Sequence, residues 1–264
     1  MYLCLNCGEE YREELDPLGH DLVKTADAVN PTCFSVGWTA GYKCSRCDYE
    51  VRQEEVAKIA HTTKATITRA TTTKDGKIVK TCTVCKKTLS TTVIPKASNI
   101  KLSTTLYTYD GKVKTPSVTV KDSKGKTLKR NTDYTVSYAS GRKYVGKYAV
   151  KVTFKGNYSG SKILYFTVKP RATSISSLAA GSKSFSVKWR KQTSQITGYQ
   201  VQYSTSSKFT KAKTYTFSSK TTSKKVTRLS GKKKYYVRVR TYKRVGNTNY
   251  FSSWSGAKAV VTKR

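Results

Sequence analysis

From Tyr235 the chain reads Tyr-Tyr-Val-Arg-Val-Arg, so apolar and charged side chains alternate through Val237, Arg238, Val239 and Arg240. A period of two belongs to a strand, because successive side chains leave opposite faces of the pleat. Leu229, Tyr235, Val237 and Val239 are therefore expected on one buried face, with Arg238 and Arg240 turned to water. The same pattern predicts strands at Phe185–Trp189, Gly198–Tyr203, from Tyr215, before Val226 and at Ala259–Val261, with Trp189 a core anchor. Between residues 97 and 170 it predicts strands at Ile100–Leu102, Tyr107–Tyr109, Val118–Val120, Tyr134–Tyr138, Tyr148–Phe154 and Ile163–Val168. Turns fall at Asp110-Gly111, Asp122–Gly125 and Gly156–Gly160, and Pro170 ends the run.

Many short strands separated by turns read as mainly β. The predicted architecture is a small cysteine-rich region at residues 1–96 followed by two tandem β-sandwiches, at 97–170 and 171–264. Tyr235 lies six residues after Leu229, which suits a buried ring whose hydroxyl returns to the preceding loop, the tyrosine corner of Greek-key sandwiches. Neither sandwich contains a cysteine, so neither has a disulfide between its sheets. No run of eighteen apolar residues is present to span a membrane, and Met1-Tyr-Leu-Cys lacks the basic start and apolar stretch of an export signal. An exported protein of this kind is expected to carry its signal outside the chain.

All seven cysteines and both histidines fall before residue 97. Cys4-x-x-Cys7 precedes His20 by thirteen residues, and Cys44-x-x-Cys47 precedes His61 by fourteen. Cys82-x-x-Cys85 has Ser98 at that offset, and Cys33 stands eleven residues before Cys44. These intervals read as degenerate repeats, the first expected to have had its extra cysteine ahead of Met1. Two cysteines separated by two residues span one edge of a zinc tetrahedron. Cys33, Cys44, Cys47 and His61 would complete one site, and Cys4, Cys7 and His20 part of another. The competing reading is a disulfide, from Cys33 to Cys44 or Cys47. Either would staple a region too small to fold on its core alone. With no open position or base in sight, any zinc is expected to be structural. Cys82 and Cys85 make half a site, expected as a free dithiol, a local disulfide or a pair that borrows ligands.

The net charge of +36 hides an asymmetry: residues 1–60 carry eleven acids against six Lys/Arg, whereas residues 61–264 carry four against 45. The second part, at +41, is a long-range attractor for polyanions. Lys232, Lys233, Arg238, Arg240, Lys243 and Arg244 are its candidate basic surface. Beyond residue 61 there is no histidine, no glutamate and no cysteine outside Cys82 and Cys85, so acid–base and nucleophilic chemistry have few candidates. No phosphate loop, nucleophile elbow or metalloprotease helix is found. The expectation is a protein that is not an enzyme.

Residues 171–264 resemble the fibronectin type III family through Trp189, the Gly198–Tyr203 strand, Leu229, Tyr235 and the closing Trp254-Ser. Residues 97–170 resemble bacterial immunoglobulin-like domains, through Lys121–Leu128, Thr132–Val136 and Gly156–Gly160. The first region is similar to the cysteine-rich repeats that precede such domains in surface proteins of Gram-positive gut bacteria, on the strength of Ala70–Lys74 and Ile78–Cys85. These resemblances imply a fragment of a modular, exported surface protein, extracellular or cell-surface in location.

The expected function is that of a semi-rigid spacer with adhesive capacity, since the joints at Lys96–Ser98 and Lys169–Arg171 are short. Its expected partner is an anionic cell-wall polymer, a glycan or a host surface ligand. An accessory substrate-binding part of a secreted hydrolase is the alternative, favoured if Trp254 or Tyr250 lies exposed on a rim. Nucleic-acid binding is disfavoured, because in the Lys232–Arg244 stretch alternation sends Tyr235, Val237 and Val239 inward and leaves Tyr236 beside Arg238 and Arg240, a poor stacking platform.

Overall fold

A computed structural model of the protein describes residues 18–264 and, ahead of them, the paired strands Tyr2–Leu3 and Glu10–Tyr11. Among the described residues all regular structure is β-strand, so no helix is long and apolar enough to cross a membrane. The chain divides into two units, residues 1–66 with 78–92 and residues 67–77 with 93–264.

In the first unit Gly41–Cys44 is the central strand between Leu22–Ala26 and Glu50–Val51, and Gly37–Trp38 pairs with Glu55–Val56. These strands are short, and Leu18, Leu22, Val23, Val29, Phe34 and Ile59 lie exposed. Among its described residues the unit therefore buries little apolar surface. Its buried residues include Cys33 and Cys44, at 8% and 5% exposure. Further along, Gly76–Cys82 runs between Thr63–Thr68 and Thr88–Ile94.

The second unit contains two sandwiches. In the first, Ala97–Leu102 pairs with Val118–Asp122, and a four-stranded sheet runs Leu106–Thr108, Ser161–Lys169, Gly146–Phe154, Tyr134–Tyr138. Alternation positions the core: Val150, Val152 and Phe154 are buried while Lys151 and Thr153 face out. Phe166 and Val168 pack on Val150 from the neighbouring strand. The strand Leu106–Thr108 runs parallel to Ser161–Lys169, whereas the other strand–strand pairings of this sandwich, isolated bridges aside, are antiparallel. Ala70 also belongs to this packing: its N–H donates to Asn157 O at 3.0 Å, and its carbonyl accepts from Ser159 N at 2.8 Å.

In the second sandwich Ser184–Trp189 lies between Ile175–Gly181 and Ser223–Val226. Facing it is a sheet of Lys213–Ser218, Gly198–Ser204, Lys234–Val245 and Thr248–Phe251, with Lys258–Val261 also paired to Lys234–Val245. Phe185, Val187 and Trp189 meet Tyr199, Val201, Tyr203, Tyr235, Val237 and Val239 between the sheets. Burial of each such apolar side chain contributes about 1.5–3 kcal/mol. Leu229 packs half-buried on this cluster. Ser230 N–H donates to the Tyr235 hydroxyl at 3.2 Å, which closes the tyrosine corner. The strand Thr248–Phe251 was not expected from the sequence. A turn with Gly246 at φ 55° folds it back on Lys234–Val245, and its polar Thr248 and Asn249 conceal the alternation.

Candidate metal centre and basic face

Cys82 closes the strand Gly76–Cys82, and the chain then turns tightly, with Cys82 N–H donating to Lys87 O at 2.9 Å and Lys86 at φ 62°. That turn brings Cys85 back beside Cys82. Thr83 N–H donates to Thr62 O at 2.8 Å, and this lays His61 against the turn. Ile59 N–H donates to Thr32 O at 3.2 Å, while Thr32 N–H donates to Ser35 O at 2.9 Å and holds Cys33 in a turn of its own. The backbone thus delivers four ligand atoms to one place.

Cys33 Sγ and Cys82 Sγ are 3.6 Å apart, and Cys85 Sγ is 3.5 Å from His61 Nδ1. All four ligand atoms lie within 4.8 Å of one another. Tetrahedral zinc with Zn–S near 2.3 Å and Zn–N near 2.0–2.1 Å places its sulfurs about 3.8 Å apart and sulfur and nitrogen about 3.5 Å apart. A disulfide would need about 2.05 Å, and the Cys33, Cys44, Cys47, Cys82 and Cys85 thiols are all free. The donor set and spacing fit zinc. Burial, then the neighbouring Cys82 and Cys85 thiols, pushes the Cys33 thiol up to about 11. Burial also acts upward on Cys82, but hydrogen bonds from the Cys85 and Val84 backbone and from His61 outweigh it, and the thiol falls to about 6.

A second cluster repeats this construction. Cys44 closes the strand Gly41–Cys44, and its N–H donates to Tyr49 O at 2.8 Å. Ser45 N–H donates to Asp21 O at 2.9 Å, the counterpart of the Thr83–Thr62 bond, and so sets His20 beside the turn. Cys47 Sγ lies 3.3 Å from His20 Nδ1, and the imidazole stacks on Tyr49 at 4.0 Å between centroids. Cys44 is lowered to about 6, chiefly by the Arg46 N–H, against burial and with help from His20 and Cys47.

This pairing corrects the expected ligand set. Cys33, Cys44, Cys47 and His61 do not form one site: Cys33 and His61 join Cys82 and Cys85, while Cys44 and Cys47 join His20. The histidine precedes its cysteine pair in the chain, because the bond after each histidine ties it forward to the next turn. The third repeat has Thr71 where the second has Cys33, and takes its third thiol from the repeat before. Cys82 and Cys85, expected to be half a site, are joined there by His61 and the borrowed Cys33. Cys4 and Cys7 lie outside the described residues.

The basic face also differs from expectation at two positions. Arg238 lies between Phe209 and Trp254, 3.9 Å and 4.6 Å from their ring centroids, and Arg240 lies between Trp254 and Phe251, at 4.3 Å and 3.9 Å. Gln202 Oε1 accepts from Arg238 Nε at 2.8 Å, and Gln200 Oε1 accepts from Arg240 Nε at 3.0 Å. The strand pairing that opposes Gln202 to Arg238 and Gln200 to Arg240 makes this possible. Burial lowers the pKa of both arginines from the usual arginine value. Stacked and hydrogen-bonded, they are not a free cationic patch. Lys232, Lys233 and Arg244 are exposed and Lys243 is half-buried. Sequence reasoning missed Phe209 and Phe251; aromatics that flank a Val-Arg-Val-Arg strand are the available signal. Trp254 and Tyr250 are both half-buried, and Trp254 is covered by two guanidinium groups.

Residues 168–256 match the fibronectin type III domain family. Among solved structures the chain is similar to the FN1–FN3 domains of chicken CNTN1, at 18% identity over 72% of this chain and 75% of that one, with a TM-score of 0.32. It is also similar to a two-domain fibronectin type III segment of chicken tenascin, at 16% identity over 63% of this chain and 99% of that one, with a TM-score of 0.39. None of the curated proteins matches the chain.

Proposed function

We propose that this chain is a non-catalytic structural and adhesive module of an exported bacterial surface protein, a semi-rigid spacer whose cysteine region is stapled by structural zinc. The joint between the two sandwiches carries the spacer reading. Pro170 is buried, Lys169 O accepts from Tyr109 N at 2.8 Å, and Lys169 Nζ donates to Ser253 Oγ at 3.0 Å. On the far side Thr241 Oγ1 donates to Arg171 O at 2.7 Å, and Val145 N–H donates to Gln195 Oε1 at 3.2 Å. Every residue of the joint is thus tied to a sandwich, which leaves no length of free linker to act as a hinge. Backbone NMR relaxation on the full chain tests this. One correlation time shared by residues 97–264 is expected, and two independent ones would overturn the spacer.

Zinc at Cys33, His61, Cys82 and Cys85 would hold together a unit with little apolar core and supply no catalytic step. Contact with an anionic cell-wall polymer or glycan runs through Lys232, Lys233, Lys243 and Arg244. The accessory-hydrolase alternative loses support, since Trp254 is occupied by Arg238 and Arg240 and offers no bare ring to a sugar. Co-sedimentation with Gram-positive walls, with and without teichoic acid, tests the adhesive part: retention at physiological salt that needs the polymer is expected, and absence of binding to either wall would overturn it.

A further inference from the structure

We propose that the end of the second sandwich beside Tyr235 is a binding site for the phosphate group of a small phosphorylated polyol. A cavity of about 300 Å3 opens there, and three of its lining residues, Lys211, Lys213 and Arg228, are cations. Tyr203, Ser204 and Tyr235 form its buried wall, while the three cations stand exposed at its mouth. One strand pair and two loops bring these cations together. Lys213 stands opposite Tyr203 in an antiparallel pair, so both side chains leave the same face of the sheet. Lys211 lies in the loop between those strands, where Ser204 Oγ donates to Thr210 O at 2.7 Å and accepts from Ser206 N at 3.1 Å. Arg228 comes from the loop that leads to Tyr235, anchored where Leu229 N–H donates to Lys183 O at 2.9 Å. Lys211 and Arg228 have φ of 48° and 58°, left-handed values that residues with a β-carbon seldom adopt and that gather at ligand sites.

The lining selects the chemistry of the ligand. Residues 171–264 contain neither Asp nor Glu, so this sandwich offers the three cations no carboxylate side chain as a partner. A phosphomonoester brings about two negative charges near pH 7 and three acceptor oxygens. An arginine fork and lysine ammonium groups suit those oxygens. The Tyr235 hydroxyl accepts from Ser230 N–H and keeps its own proton to donate to an oxyanion. Beyond the phosphate the cavity has room for a short carbon chain, and Thr205, Thr210 and Ser230 line it with hydroxyls to meet those of a polyol.

Amide NMR on the full chain, titrated with glycerol 3-phosphate at physiological salt, tests the site. Saturable shifts are expected at Lys211, Arg228 and Ser230, with inorganic phosphate binding more weakly and glycerol not at all. Lys211→Gln and Arg228→Gln should each weaken binding about tenfold, the loss of one charge-assisted contact. Lys188→Gln, an exposed change on another strand, should leave it as it was. Absence of any shift would overturn the site, as would shifts spread evenly over the basic strands or equal weakening by Lys188→Gln. Inorganic phosphate that binds as tightly as glycerol 3-phosphate would overturn the polyol part. The variants' own spectra report whether they fold, and the wild-type titration decides the matter without them. None of these residues belongs to the wall-contact set Lys232, Lys233, Lys243 and Arg244, so failure here leaves the co-sedimentation result standing.

Discussion

Cys33 and Cys82 are 49 residues apart in the chain and place their sulfurs 3.6 Å from one another. A metal bound there closes a long loop, and loop-closure entropy is what an unstapled unit of this size has most to lose. The ligands alternate along the sequence, with Cys33 of one site lying between His20 and Cys44 of the other. Disorder at either centre therefore loosens backbone that serves both.

Chelation should unfold the cysteine region and leave the sandwiches intact. Metal at a thousandfold excess over Kd stabilises by about 4 kcal/mol. Thermal unfolding with and without a strong chelator is expected to show the lower transition move and the upper one stay. A single transition that shifts as a whole would contradict the separation.

Tyr235→Phe removes the acceptor for Ser230 N–H while keeping the ring in place. A cost of about 0.5–1.5 kcal/mol is expected for one hydrogen bond, read as a lower urea midpoint at unchanged slope. Gly198→Ala should cost more, about 1–3 kcal/mol, because its Cβ would run into the Phe217 carbonyl and approach the Tyr242 ring.

Trp254→Ala deletes the ring shared by Arg238 and Arg240. At about 0.5–2 kcal/mol per cation–π contact, the loss should exceed that of Tyr235→Phe, and each arginine, while keeping its second ring and its glutamine, should expose one face to polyanions. A heparin column is the check: Trp254→Ala should elute later in salt than the unsubstituted protein, and a variant with Lys232 and Lys233 changed to Gln should elute earlier.

Stability should fall in strong base. Burial, then the neighbouring Tyr215 and Tyr235, raises the Tyr203 phenol to about 12. An unfolded tyrosine ionises near pH 10, so the folded state holds its proton while the unfolded state has lost it. Its stabilising effect is complete below about pH 10 and is lost as pH rises through about 12. Urea midpoints measured between these limits should decline, and Tyr203→Phe should flatten the decline.

The sandwiches were legible because burial acts on every second residue. Val237 and Val239 declare their face, and so do Val150 and Val152. The strand Thr248–Phe251 was not legible, since each of its faces carries one polar and one aromatic residue and its existence depends on a neighbour to pair with. Ligand types and the repeat were readable from spacing, whereas the partition of ligands was not. Which cysteine meets which histidine is decided by the Thr83–Thr62 and Ser45–Asp21 backbone bonds, between residues 21 and 24 apart in the chain. The arginines misled for a similar reason: alternation gives their face, while the rings of Phe209 and Trp254 that cover them arrive from other parts of the sandwich.

The strand Leu106–Thr108 near the start of the first sandwich runs parallel to Ser161–Lys169 at its end. The second sandwich does likewise at its edges, where Ser182 bridges Lys263 in parallel. Tension applied along the chain draws two parallel strands in opposite directions, so their hydrogen bonds are loaded in shear and must yield together. Antiparallel terminal strands would instead open one bond at a time from the end. A tethered surface protein dragged by flow experiences this kind of load, and its survival is governed by an unfolding rate under force. Under such a load the parallel pairing of Leu106–Thr108 with Ser161–Lys169 would act as a mechanical clasp.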